Sequence, residues 1–154
     1  MKERWLRIGI LAGALFAINV VGRLVVRLGS IEDVDSQDRI TLLTYAAIAL
    51  VMAGCAIWWG RVRPLGVVVA DLAGAAVAAG VLILLAGPFI SGTSPAAIGA
   101  GDSFTVAWQF AGFAAGGALV GTLLLIMVGR DYKSRSLKQF ADSKLTKPRR
   151  PVRG

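Results

Sequence analysis

Four long apolar runs, separated by short polar connections, restrict the fold of this chain more than any other feature. They cover approximately residues 8–28, 40–60, 65–90 and 104–129. A helix needs about 20 residues to cross the apolar core of a bilayer, which is about 30 Å thick. Only helices and closed barrels satisfy their backbone there, and the sequence lacks the period-two alternation of barrel strands. The runs therefore predict an all-α integral membrane protein.

The composition excludes an ordinary soluble domain and several kinds of chemistry. Only 17% of the residues are charged, against roughly 25% in soluble domains. One Cys and no His rule out a disulfide framework, Cys/His zinc sites and His-based relays. The connections are also too short to build a catalytic pocket. We therefore expect no catalytic, cofactor-binding or metal-binding residues, and we expect that the chain is not an enzyme.

Short connections predict how the four spans are arranged. Residues 31–39, 61–64 and 91–103 join consecutive runs, and helices joined by short loops pack antiparallel. The sequence thus predicts a four-helix antiparallel bundle over residues 1–129. Residues 130–154 follow as a basic tail.

Positive charge predicts the orientation of the bundle. Fourteen of the 17 Lys and Arg residues lie in the N-terminus, the 61–64 connection and the tail, and only Arg23, Arg27 and Arg39 lie on the other side. The positive-inside rule then places both termini in the cytoplasm, with the protein in the plasma (inner) membrane. The N-terminal run is predicted to be an uncleaved signal anchor rather than a secretory signal peptide. Amphipathic rings fall near both predicted boundaries, where such rings prefer to lie, at Trp5, Trp58, Trp59, Trp108 and Tyr132.

Small residues at i, i+4 spacing predict how the spans pack. Lipid tails are as apolar as Leu, so membrane helices associate through close approach, which small residues permit. The fourth run carries two such pairs, which predicts contact with more than one neighbour. The alternative is that Gly and Ala are simply frequent in membrane helices. The candidate packing residues are Gly9, Gly13, Gly74, Ala78, Gly112, Gly116, Gly117 and Gly121.

Asp71 is the one carboxylate within the four runs. A charge at membrane depth costs about 2.5 to 3.5 kcal/mol on insertion scales, so it needs a partner or a function. We expect either an ion pair with Arg4 or Arg7, or a protonated carboxyl with its pKa raised by desolvation. Three roles remain open: a satisfied structural carboxylate, proton or cation handling, and contact with a partner subunit.

Asn19, Arg23 and Arg27 are spaced four apart and form one stripe along the first helix. One interpretation is that the arginines snorkel to the headgroups and pair there with Glu32, Asp33 or Asp35. The other is an external site for an anion or lipid headgroup, or a polar seam against another protein. The second interpretation uses the match of the guanidinium fork to phosphate and carboxylate.

Several uncharged polar side chains also lie within the runs. Such groups routinely hydrogen-bond across membrane helices. We therefore expect interhelical hydrogen bonds, rather than a site, from Tyr45, Thr105, Gln109 and Thr122.

The tail carries nine cations and only Asp131 and Asp142 as acidic residues. Each cation near an anionic leaflet contributes on the order of 1 kcal/mol to binding, so anionic phospholipids are the expected partner. Docking of a protein partner is the alternative, and nucleic acid is not expected. Apolar residues at helical spacing predict an amphipathic helix over 133–145. The candidate lipid- or partner-binding residues are Arg130, Lys133, Arg135, Lys138, Lys144, Lys147, Arg149, Arg150 and Arg153.

These features predict a non-catalytic accessory, assembly or scaffold subunit of a larger bacterial plasma-membrane protein complex. Its expected partners are other integral membrane subunits or further copies of the same chain. The alternative is a small oligomeric channel or transporter that uses Asp71 or the Asn19, Arg23 and Arg27 stripe. A third possibility is regulation, with the basic tail as an electrostatic switch released from lipid.

Overall fold

The computed structural model describes residues 2–29, 33–92, 99–129 and 132–145. This part of the chain is all-helical and contains no strand, which confirms the all-α part of the predicted fold. Four of its helices are long and apolar enough to cross a membrane, as predicted. The helices are α1 (Lys2–Leu28), α2 (Val34–Gly60), α3 (Leu65–Ser91), α4 (Ala100–Met127) and α5 (Tyr132–Leu145).

Helix α2 begins earlier than the residue 40 expected from hydropathy, because a side chain caps it. Asp33 is extended, and its carboxylate accepts hydrogen bonds from the backbone N–H of Ser36 at 3.1 Å and from its hydroxyl at 2.8 Å. Such a cap satisfies donors that the first helical turn leaves open. Most of the 31–39 connection is therefore the first part of a helix.

The contacts between helices give their directions. Arg4, near the start of α1, bonds to Asp71 near the start of α3, and Arg27 bonds to the end of α3. Gly117 of α4 lies against the backbone of Ala49 in α2, and the next turn of each helix repeats this contact. The parallel pairs α1/α3 and α2/α4 pack most extensively, while consecutive helices run antiparallel. We call the end where α1 and α3 begin the proximal end, and the end where they finish the distal end.

The interior of the bundle is narrow, and its exterior is apolar. Leu15, Ile48 and Ala75 are completely buried between the helices. By contrast, Trp58 and Trp108 are each 70% exposed. Many Leu and Val side chains on all four long helices are also exposed. Hydrocarbon solvates such an exterior well. The arrangement is that of a multi-pass membrane protein.

Candidate functional site

Asp71 lies at the proximal end, and arginines hold both of its carboxylate oxygens. Its side chain is only 1% exposed. Arg4 Nε lies 2.6 Å from Oδ1, and Arg63 Nη1 lies 3.2 Å from Oδ2. Two charge-assisted hydrogen bonds compensate the desolvation of a buried carboxylate. The three residues, which we call the proximal lock, tie α1 and the turn between α2 and α3 to α3.

Sequence reasoning named two of the three residues of the proximal lock, Asp71 and Arg4. Arg4 is one of the two predicted partners, whereas Arg7 lies 3.9 Å from Glu3 on its own helix. Arg63 was missed. The available signal was its position in the short turn just before α3. Asp71 lies only about 9 Å along the helix from Leu65, within reach of a long arginine side chain.

The predicted stripe on α1 reaches the distal end of α3. Arg23 donates from Nε to Asn19 Oδ1 at 2.8 Å and from Nη1 to Ser91 Oγ at 3.0 Å. Arg27 donates from Nη1 to the carbonyl oxygen of Ile90 at 2.7 Å. The last carbonyls of a helix carry partial negative charge and lack intrahelical partners, so cations are favoured there. The stripe therefore ties α1 to the end of α3.

Two glycines shape the end of α3 for these guanidinium groups. A Cβ on Gly87 would lie 2.9 Å from Cζ of Arg23, so a larger residue would displace that side chain. Gly92 ends the helix with φ at +83°, a left-handed conformation that glycine adopts without strain. Helix α3 thus ends at Gly92, next to the Ile90 carbonyl oxygen that accepts from Arg27.

The predicted pairing of the stripe with nearby acidic residues is wrong for Asp33 and Asp35. Neither Arg23 nor Arg27 forms an ion pair with any residue that the structure describes. Hydrogen bonds from the Ser36 side chain and backbone engage Asp33 and lower the pKa of its carboxyl. Glu32, the remaining member of the predicted set, lies outside the described residues.

A polar cavity of about 530 Å³ opens at the distal end between all four long helices. Both stripe arginines line it, and no Asp or Glu among the described residues does. We call it the distal cavity. Its polar lining consists of Asn19, Arg23, Arg27, Gln37, Thr41, Thr44, Tyr45, Ser91 and Gln109.

The uncharged polar residues do not form the predicted hydrogen bonds between helices. Thr105 and Thr122 donate to carbonyls of their own helix. Within the described parts of the chain, the hydroxyl of Tyr45 and the amide of Gln109 form no hydrogen bond, and both residues line the distal cavity. The Tyr45 ring itself stacks on Phe113 with centroids 5.5 Å apart.

The predicted small-residue pairs divide into inward and outward sets. A Cβ on Gly117 or Gly121 would overlap the backbone of α2, so this pair permits the close approach of α2 and α4. Gly74 makes an ordinary contact with Ile8 of α1, whereas Ala78 is exposed. At four positions a Cβ would meet nothing within 4 Å: Gly9, Gly13, Gly112 and Gly116. Helix α4 packs against both α2 and α3, which confirms the predicted contact with more than one neighbour, but Gly112 and Gly116 take no part in it.

The basic tail is described only in part. Helix α5 coincides with the predicted amphipathic segment, and Lys133 and Lys138 are exposed on it. The side chains of Arg135 and Lys144 are outside the description. The remaining predicted cations lie outside the described residues altogether: Arg130, Lys147, Arg149, Arg150 and Arg153.

Comparisons with known proteins add no assignment. The chain matches no protein-family model, no curated protein and no solved structure. Over the described residues, no group of three or more His, Cys, Asp or Glu side chains is placed to hold a metal ion.

Proposed function

We propose that this chain is a non-catalytic accessory, assembly or scaffold subunit of a larger bacterial plasma-membrane protein complex. The outward glycines carry this proposal. Gly9 and Gly13 on α1, and Gly112 and Gly116 on α4, each present an i, i+4 pair with open space beyond it. Small residues on a helix surface do not improve its contact with lipid, whereas they let the backbone of a neighbouring helix approach closely.

The same helix supplies an internal reference for this argument. Gly117 and Gly121 show what an occupied pair looks like on α4, because the α2 backbone fills the space beside them. Gly112 and Gly116 have the same spacing and no neighbour in the described chain. We therefore assign that second pair to a helix of another integral membrane subunit.

The charge distribution supports the orientation that we propose. Both termini lie in the cytoplasm, because fourteen of 17 cations belong to the segments on that side. The exposed cations of α5, including Lys133 and Lys138, then face the anionic inner leaflet. Protease accessibility of the tail in sealed inside-out and right-side-out vesicles tests this orientation.

Paired substitutions on α4 test the subunit assignment. We expect G112L/G116L to leave the helical content and the thermal unfolding midpoint unchanged. It should reduce photo-crosslinking to a co-purifying subunit from residue 108, which is exposed one turn earlier on the same face of α4. The matched control, G117L/G121L, forces side chains into the α2 backbone and should cost about 1–3 kcal/mol or more of stability. An unchanged crosslinking pattern in G112L/G116L would contradict the proposal.

A small oligomeric channel or transporter is the second candidate, and the distal cavity is the observation that favours it. Asp71 does not support this candidate, because both of its oxygens are held by arginines. A homogeneous homo-oligomer by size-exclusion chromatography with light scattering, together with Arg23-dependent ion flux in liposomes, would favour it over the subunit assignment.

A further inference from the structure

In the distal cavity, several hydrogen-bond donors have no acceptor among the described residues. Arg23 bonds through Nε and Nη1, which leaves its Nη2 group, and Arg27 bonds through Nη1 alone. Asn19 is 6% exposed and accepts from Arg23 through Oδ1, so its amide nitrogen remains a donor. Tyr45 is 5% exposed, and its hydroxyl has no hydrogen-bond partner among the described residues. These donors line the open cavity, so an acceptor that enters it can form hydrogen bonds with them.

The nearby hydroxyl groups form other hydrogen bonds and do not accept from these donors. The hydroxyls of Thr41 and Thr44 both donate to carbonyls of α2 itself. Ser91 Oγ accepts from Arg23 and donates to the carbonyl of Gly87. The unused capacity of the cavity is therefore mostly donor capacity, on side chains from α1 and α2.

The charge of the cavity is positive as well. Arg23 and Arg27 contribute two positive charges, while the end of α3 offers only about half a negative charge. The carboxylates that the structure describes at this end are exposed at the starts of α2 and α4, and none of them lines the cavity. They are Asp33, Asp35, Asp38 and Asp102.

We propose that the distal cavity binds a phosphate group through Arg23, Arg27, the Asn19 amide and the Tyr45 hydroxyl. The guanidinium fork matches the oxygens of a tetrahedral oxyanion, and about 530 Å³ lies in the usual range for small-molecule sites. Arg27 lies one residue from the end of α1, and Arg23 lies one turn deeper. A phosphate can therefore enter as the headgroup of a lipid in the distal leaflet or as a free anion from water.

Two binding measurements on the full-length protein separate these sources. In the first, inorganic phosphate is titrated by calorimetry into protein in nanodiscs of phosphatidylcholine alone. In the second, native mass spectrometry counts phosphatidylglycerol that stays bound after extraction from mixed nanodiscs. Saturable binding in the first identifies a free anion, and retained phosphatidylglycerol in the second identifies a lipid headgroup. No saturable binding in either measurement overturns the proposal.

Three single variants test the site itself. R23Q should weaken binding at least about tenfold, because a charge-assisted contact is lost. Y45F keeps the ring that stacks on Phe113 and removes only the hydroxyl, so it should weaken binding about threefold to tenfold. R39Q is the matched control, because Arg39 is an exposed cation of the same end that does not line the cavity.

The comparison among these variants decides between a built site and general electrostatic attraction. R39Q should bind within about twofold of the original protein, since an exposed charge is largely screened. An equal loss in R39Q and R23Q would overturn the proposal, and so would unchanged affinity in Y45F. Because Y45F leaves every helix contact of Arg23 intact, the test holds even if R23Q does not fold.

Discussion

Arginines at the two ends of the bundle have different partners. At the proximal end, Arg4 and Arg63 converge on a buried carboxylate, and each oxygen of Asp71 is bonded. At the distal end, among the described residues, Arg23 and Arg27 contact only neutral groups and border a cavity that no Asp or Glu lines. Arginines thus form ion pairs with a buried carboxylate at the proximal end, whereas at the distal end they present hydrogen-bond donors to a cavity. The difference lies in whether a buried anion of the chain itself faces them.

The largest expected effect comes from opening the proximal lock. R4Q/R63Q leaves Asp71 buried without a cation, and loss of a buried partner costs about 3–5 kcal/mol. We expect a large drop in the thermal unfolding midpoint of the protein in detergent. Adding D71N removes the stranded charge and should restore most of the stability. Equal stability of R4Q/R63Q and the original protein would show that the lock contributes nothing.

Removing a distal arginine should cost much less. R23Q gives up hydrogen bonds to Asn19 and Ser91 but strands no charge, so we expect a loss of about 1 kcal/mol. The same unfolding assay measures it. A loss as large as that of R4Q/R63Q would mean that the distal arginines are also a structural lock, and the contrast between the ends would fail.

The smallest effect should come from the cap of α2. Hydrogen bonds from Ser36 lower the pKa of the Asp33 carboxyl. Stabilisation by this cap is therefore complete above the ordinary Asp pKa of about 3.9, and it disappears as the pH falls through the lowered pKa. Circular dichroism between neutral and acidic pH should show slight loss of helix.

D33N is the control for that titration. Asparagine caps a helix nearly as well as aspartate but does not ionise in this range. The acid-induced change should therefore be smaller in D33N. If D33N and the original protein lose the same helical signal on acidification, the change arises elsewhere.

Sequence reasoning predicted the four helices and named Arg4 as one of the possible partners of Asp71, because run length and membrane depth follow directly from position in the chain. Apolar runs specify spans by length, and a buried carboxylate requires a cation at the same depth. The sequence does not show which small-residue pair faces another helix of the chain, because the i, i+4 spacing is the same for Gly112/Gly116 and Gly117/Gly121. Only the three-dimensional packing shows which pair meets α2.

The distal cavity could not be predicted from the sequence either, because it depends on contacts between distant parts of the chain. Its stripe on α1 was predicted, but the acceptors of that stripe lie at the end of α3, 63 and 68 residues away along the chain. Tyr45 was expected to bond across helices and instead leaves its hydroxyl for the cavity. A site assembled from four helices requires the relative rotation of each helix, which periodicity alone does not give.

The contrast between the ends is tested most directly by the dependence of the unfolding midpoint on phosphate concentration at constant ionic strength. A bound ligand stabilises the folded state by about RT ln(1 + [L]/Kd). We predict a saturable rise in the midpoint for the original protein and for R4Q/R63Q, starting lower in the latter, and no rise for R23Q/R27Q. A rise that persists in R23Q/R27Q, or that disappears only in R4Q/R63Q, would contradict the account.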